Sequence, residues 1–219
     1  MGSKLRLLYG HLPYGVHEHI PRPSSYVTIV REPVDRVISA YKYVRKTAHH
    51  RDHDEVVNGD IGLEENVKRF WVDERLNRQT RQLCNKYDGP LDEHDLERAK
   101  RNLERFLVVG LTERFEETFA LVRRALRFRL PFYVTRNVSP PLEIADGVRT
   151  LIAEHERFDR ELYDFARDLF TARIARQGAS FALEVGMFRA LRPVSRLTGS
   201  GGRTERVFRA LSHARTGKK

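Results

Sequence analysis

"YVTIVREPVDRVISAYKYV", residues 26–44, reads as a β-strand that turns at a proline into an amphipathic helix, with an arginine at the junction. Tyr26 to Val30 are aromatic and β-branched, a run of the length of a buried strand. Pro33 suits a first helical position, where no backbone donor is needed and φ is already near its helical value. Val34, Val37, Ile38 and Tyr41 recur at helical spacing and form one apolar face, from which Asp35 and Ser39 fall away. Arg31 stands where the strand ends and the helix starts, a place where free backbone N–H groups and the helix dipole favour an anion. The stretch reads as a phosphate-binding corner. The competing reading is that Arg31 pairs with Glu32 or Asp35 and closes the turn.

Outward from this corner, "KLRLLYG" (4–10) reads as a short strand leading to His11. Residues 45–62, rich in His and Asp and closed by glycines, read as a loop. "LEENVKRFW" and "DERLNRQTRQLC" read as short helices, and 92–106 as a helix with an acidic first turn. "FLVVG" reads as a second buried strand. Thr112 is placed to cap the next helix, with Phe115, Phe119, Val122 and Leu126 on one face. A long helical region from about 148 to 176 follows the proline-containing loop "RNVSPPLEIADG". From Gln177 onward the chain is basic and reads as a loosely attached, partly helical tail. The alternation of strand and helix favours an α/β sheet with parallel neighbours. The expected division is an α/β domain over 1–176 and the tail over 177–219.

The chain has 219 residues with 40 Lys plus Arg against 30 Asp plus Glu, a formal charge of +10. Such a field attracts polyanions of any kind, whether nucleic acid, acidic glycan, membrane surface or phosphorylated cofactor. The lone cysteine, Cys84, excludes an internal disulfide and a cysteine-based zinc framework. No run is long and apolar enough for a membrane span, and the N-terminal apolar segment is too short for a secretory signal.

Several stretches resemble the carbohydrate sulfotransferases that use 3′-phosphoadenosine 5′-phosphosulfate (PAPS), the heparan sulfate 2-O and 6-O type and bacterial relatives. "REPVDRVISAYKYV" is similar to the family's 3′-phosphate motif, with Arg31 and Ser39 on its arginine and serine. "GHLPYGVHEHIP" resembles the segment in which a histidine acts as catalytic base, and His11 is the match. "NRQTRQLC", "VVGLTERFEETFALVRRAL" and "FDRELYDFARDLF" carry the likeness further, to about residue 172. The resemblance implies an α/β, P-loop-like three-layer sulfotransferase fold with a parallel sheet, N-terminally incomplete. It implies sulfuryl transfer from PAPS to a hydroxyl of a carbohydrate acceptor, with no metal. His11 is then the base, and Arg31 and Ser39, with Asn137 and Ser139 from a second nucleotide-contacting loop that also holds Arg136, bind the donor. Asn77, Gln79 and Arg81, beside Thr80, shape the glycan cleft; the plainer reading of these is an exposed helix face.

One departure stands against these matches. Family members begin with a strand and a Pro-Lys-x-Gly-x-Thr-Ser/Thr loop that binds the 5′-phosphosulfate, and no such loop occurs in these 219 residues. "TGSGGRT" (198–204) has glycines without a preceding strand and reads as a linker. The chain is therefore expected to be a truncated or degenerate member with weak or no turnover, since losing even one oxyanion-type donor commonly costs about 10²–10³ in rate. The alternative is a non-catalytic module binding glycan or nucleic acid by charge, without sequence-specific nucleic-acid recognition, for which no signature is present. His49, His50, Asp52, His53 and Asp54 form a metal-like cluster in sequence, but adjacent side chains in a loop rarely converge on one ion, and a solvated loop is the favoured reading. The composition fits a cytoplasmic bacterial protein better than a soluble fragment of a Golgi enzyme.

Overall fold

The computed structural model describes residues 7–70, 75–127 and 142–197. Val27–Val30 (β1) and Val108–Leu111 (β2) pair in parallel, in register from Val27 opposite Val108 to Val30 opposite Leu111. Every residue of β2 is buried, as its unbroken apolar run requires, whereas Ile29 on β1 is 44% exposed. The ladder is extended at both ends, with Leu107 N–H donating to the Tyr26 carbonyl (2.8 Å) and Thr112 N–H to the Val30 carbonyl (2.9 Å). The expected α/β class with parallel strands is thus seen in a small sheet within a helix-rich chain.

The helices are α1 (Pro33–Lys46), α2 (His53–Asn58), α3 (Leu63–Phe70), α4 (Arg78–Cys84), α5 (Glu93–Glu104), α6 (Phe115–Leu126), α7 (Asp146–His155), α8 (Arg157–Ala175) and α9 (Ala179–Leu197). They bury two apolar clusters. One surrounds β2 and gathers Leu96 and Leu103 of α5, Leu121 of α6, and Leu162 and Phe170 of α8. The other holds the face of α1 expected from its spacing, Val34, Val37, Ile38 and Tyr41, against Val56, Leu63, Val67 and Ile152. At roughly 1.5–3 kcal/mol per fully buried apolar side chain, these two faces fix the helices on the sheet.

Several expectations are corrected. The 45–62 segment is not all loop: α2 forms within it because Val56 inserts fully into the α1 cluster. Leu7, Leu8 and Tyr9 form no strand and are exposed, having no neighbouring strand among the described residues. Thr112 does not cap α6; its hydroxyl donates instead to the Val30 carbonyl (3.2 Å), and on α6 it is Thr118, Ala120 and Leu121 that are fully buried. The long helical region is two helices, broken at Glu156 although no glycine or proline stands there. The first part of the basic tail is not loose. Phe181, Val185 and Phe188 of α9 are buried in the β2 cluster, and Arg123 and Arg124 of α6 close on its buried Glu184.

β2 and α6 meet at Gly110, where a Cβ would run into the side chain of Thr118. Thr118 is held in place because its hydroxyl accepts from Leu111 N–H and donates to the Leu111 carbonyl, both at 2.9 Å. Gly110→Ala is expected to destabilise the fold by about 1–3 kcal/mol through overpacking. Thr118→Ser in the same chain should recover part of that, because the clashing methyl goes and the hydroxyl stays. Denaturant midpoints of the two variants check this; an unchanged midpoint for Gly110→Ala would contradict the packing argument.

Candidate functional site

The corner after β1 is built by three backbone donors that already have partners. Arg31 N–H donates to Gln79 Oε1 (2.8 Å), Glu32 N–H to Glu113 Oε1 (3.0 Å), and Asp35 N–H to Glu32 Oε2 (2.7 Å), which caps α1. Pro33 has no N–H to offer. The expectation of open backbone donors is therefore corrected: a carboxamide and two carboxylates take them. The competing pairing is not made either, because Glu32 serves as the cap and Asp35 faces Arg149 at 3.9 Å. Among the described residues, the Arg31 guanidinium and the Ser39 hydroxyl form no hydrogen bond or ion pair. Ser39 lies about 9 Å along α1 from Pro33 at ~1.5 Å per residue, on the helix side away from the buried face. Glu113 also accepts from the Tyr163 hydroxyl (3.0 Å), and burial together with that carboxylate raises the Tyr163 pKa above the ordinary phenol range.

α4 carries the frame behind this corner. Its first residues lie against the buried Asp159 at the start of α8. Asp159 Oδ2 accepts from Gln79 N–H (3.1 Å) and Gln79 Nε2 (3.3 Å), and Oδ1 accepts from Thr80 N–H (2.7 Å) and the Thr80 hydroxyl (2.8 Å). Asn77, in the left-handed conformation that asparagine tolerates, closes the other side: its Oδ1 accepts from Asp159 N–H (3.0 Å) and its Nδ2 donates to the His155 carbonyl (3.0 Å). Arg36 of α1 reaches the same place, donating through one nitrogen to both oxygens of Glu156 (3.0 and 3.1 Å), with its Nε 3.6 Å from Asp159 Oδ2.

The chain is 28% identical over 190 residues to heparan-sulfate 6-O-sulfotransferase 3 of Mus musculus, an alignment covering 72% of this chain and 40% of that protein. It is 27% identical to heparan-sulfate 6-O-sulfotransferase 1 of Homo sapiens, over 70% of this chain and 45% of the relative. It is 30% identical to heparan-sulfate 6-O-sulfotransferase 2 of Danio rerio, over 68% of this chain and 38% of the relative. The chain belongs to the PAPS-dependent carbohydrate sulfotransferase family. It spans less than half the length of each of these relatives. No family model matches it, and no solved structure matches it.

In this sulfotransferase-family chain, His11 is exposed and has no partner among the described residues. Its neighbour Leu12 is tied down, however: the Leu12 carbonyl accepts from Gln82 Nε2 (2.7 Å), and Tyr14 N–H donates to the Gln82 carbonyl (2.9 Å). Gln79 and Gln82 stand three apart on α4, so their Cβ atoms are about 5–6 Å apart. One short helix thereby holds both the His11 segment and the Arg31 corner. Asn77, Gln79 and Arg81 do not lie on an exposed face. Arg81 is buried, donating to the carbonyls of Leu76 (3.1 Å) and Gly89 (3.0 Å), so all three side chains are engaged internally. Arg136, Asn137 and Ser139 lie outside the described residues. The histidine-rich stretch divides its side chains among separate tasks, with His53 Nδ1 on the Val44 carbonyl (2.8 Å) and Asp52 on Arg75 (2.8 Å).

Sequence reasoning missed Arg36, Glu113, Glu156 and Asp159. Two of these acids stand in or beside the first turn of a helix, where a carboxylate ordinarily signals a solvated dipole interaction rather than a buried hub. Glu156 has 0% exposure, and its pKa is pushed up to about 8, chiefly by burial; Arg36 pulls it down and nearby Asp159 pushes it up. Because the folded pKa lies above the ordinary 4.5, the native state holds a proton that the unfolded chain has released. This contribution to stability is full below about pH 4.5 and is lost as pH rises towards 8. Glu156→Gln cannot ionise, although its NH₂ replaces one of two oxygens that accept from Arg36 and Asn77, so its thermal stability relative to the unmodified protein should rise as pH goes from about 5 to 8. Melting curves across that range test it; a pH-independent difference would remove Glu156 as the titrating group.

Proposed function

We propose that the Arg31 corner is a 3′-phosphate site for PAPS and that the chain derives from an enzyme transferring a sulfuryl group to a glycan hydroxyl. The observation that carries this is the pairing state of the corner: the Arg31, Glu32 and Asp35 N–H groups are hydrogen-bonded, while the Arg31 guanidinium and Ser39 hydroxyl remain without partners among the described residues. A cation and a hydroxyl beside the carboxyl end of a parallel strand suit a phosphate, and ligands of open α/β sheets bind at that end. The relatives act on heparan sulfate, as their names say, which makes a heparan-sulfate-like glycan the acceptor class, and the chain's +10 charge suits such a polyanion.

PAPS supplies the activated sulfuryl group and leaves as adenosine 3′,5′-bisphosphate. The residues of this chain have positional and proton-handling parts. Arg31 and Ser39 hold the 3′-phosphate, and Asn137 and Ser139, by the family resemblance, contribute to nucleotide binding. His11 takes the proton of the acceptor hydroxyl as its oxygen bonds to sulfur and the bond from sulfur to the leaving phosphate oxygen breaks. The α/β scaffold is of the P-loop-like, three-layer kind. The Pro-Lys-x-Gly-x-Thr loop that the family resemblance puts at the leaving group does not occur in these 219 residues, so nucleotide binding rather than turnover is the property that tests this chain.

The net charge favours one second reading, a non-catalytic glycan-binding module. Calorimetric titration separates the two. Adenosine 3′,5′-bisphosphate should bind about 10–100-fold more tightly than 5′-AMP, as one charge-assisted contact predicts, and Arg31→Ala should abolish that preference. Absence of nucleotide binding, with salt-sensitive heparin-oligosaccharide binding that survives Arg31→Ala, would select the module instead.

A further inference from the structure

The Gln79 carboxamide meets the Arg31 backbone from both sides. Its Oε1 accepts the Arg31 N–H (2.8 Å) and its Nε2 donates to the Arg31 carbonyl (2.9 Å), the two-way exchange that a neighbouring strand would make. Arg31 is the first residue past the end of β1, so the side chain continues the ladder where no strand does. The orientation of the carboxamide is set by chemistry. The Arg31 N–H can only donate and the Arg31 carbonyl can only accept, so the carboxamide oxygen must face the N–H and the NH₂ the carbonyl, and Nε2 also donates to Asp159 Oδ2 (3.3 Å). Asp159 is itself immobilised by the Gln79 and Thr80 N–H groups and the Thr80 hydroxyl.

The geometry points to Gln79 as a positioning residue for the Arg31 anion site, fixing the arginine's backbone and hence the origin of its guanidinium, with Asp159 fixing Gln79. The inference rests on the phosphate-site reading above and goes beyond it by assigning Gln79 an action through Arg31 rather than on the glycan. A guanidinium held at its root loses less freedom on closing around a phosphate.

Gln79→Met keeps the bulk, loses both hydrogen bonds to Arg31 and leaves both backbone bonds to Asp159. It should weaken adenosine 3′,5′-bisphosphate binding about tenfold, leave 5′-AMP binding unchanged, and have less than a twofold effect on the bisphosphate in an Arg31→Ala background. NMR hydrogen exchange should show faster exchange of the Arg31 amide in Gln79→Met, with amides of β2 unchanged. A merely structural role would weaken both nucleotides, or act equally in both backgrounds, and either result overturns the proposal. An Arg31 amide that stays protected overturns it without reference to any ligand. If the unmodified chain binds no bisphosphate, the phosphate-site reading fails and takes the proposed role of Gln79 with it.

Discussion

Asp159 has 0% exposure, and its carboxylate accepts four hydrogen bonds from two consecutive residues of α4. A buried carboxylate is tolerated only when its lone pairs are filled, and bonds to an ionised acceptor contribute roughly 1.5–3 kcal/mol each. Here all four lone-pair sites are used, and two of the donors are backbone N–H groups at the start of α4 that have no partner within the helix. One side chain thus satisfies an otherwise orphaned helix start, docks α8 on α4, and through Gln79 reaches the end of β1. The corner after β1 depends on a residue 128 positions further along the chain (159 − 31).

Around that hub the polar groups form a continuous chain of partners. Arg36 joins α1 to Glu156, Asn77 joins the entry of α4 to the backbone of α8, and Glu113 joins the exit of β2 to the start of α1. Each bond joins segments far apart in sequence, so the carboxyl end of the two-stranded sheet is over-determined although the sheet itself is small. The same bonds occupy the Arg31, Glu32 and Asp35 N–H groups around the start of α1. The network leaves the Arg31 guanidinium and the Ser39 hydroxyl unused among the described residues, and the proposed phosphate site rests on these two groups.

The breadth of sequence similarity and the geometry speak to different things. Likeness to the heparan-sulfate 6-O-sulfotransferases covers about 70% of this chain but less than half of each relative, and so carries the family. The pairing state of the corner, by contrast, is a matter of partners and distances. The NRQTR segment shows why both are needed. Its likeness to the family suggested a glycan cleft, and its helical spacing suggested a solvated face, yet the structure turns Asn77, Thr80 and Arg81 inward.

Local patterning was enough to place the strand ending at Val30, the helix beginning at Pro33 and its buried face of Val34, Val37, Ile38 and Tyr41, because strand length, proline geometry and a 3.6-residue period are properties of neighbouring residues. It also placed Ser39 off that face and found β2 from an apolar run closed by glycine. The break between α7 and α8 could not be found this way, since nothing in the sequence near Glu156 interrupts a helix and the distortion accompanies hydrogen bonds from Arg36, 120 residues away. Nor could the occupants of the corner's backbone donors, Gln79 and Glu113, which lie 48 and 81 residues from their partners. Periodicity records which side of an element is apolar; which polar group fills a particular donor is decided only when distant segments are packed together.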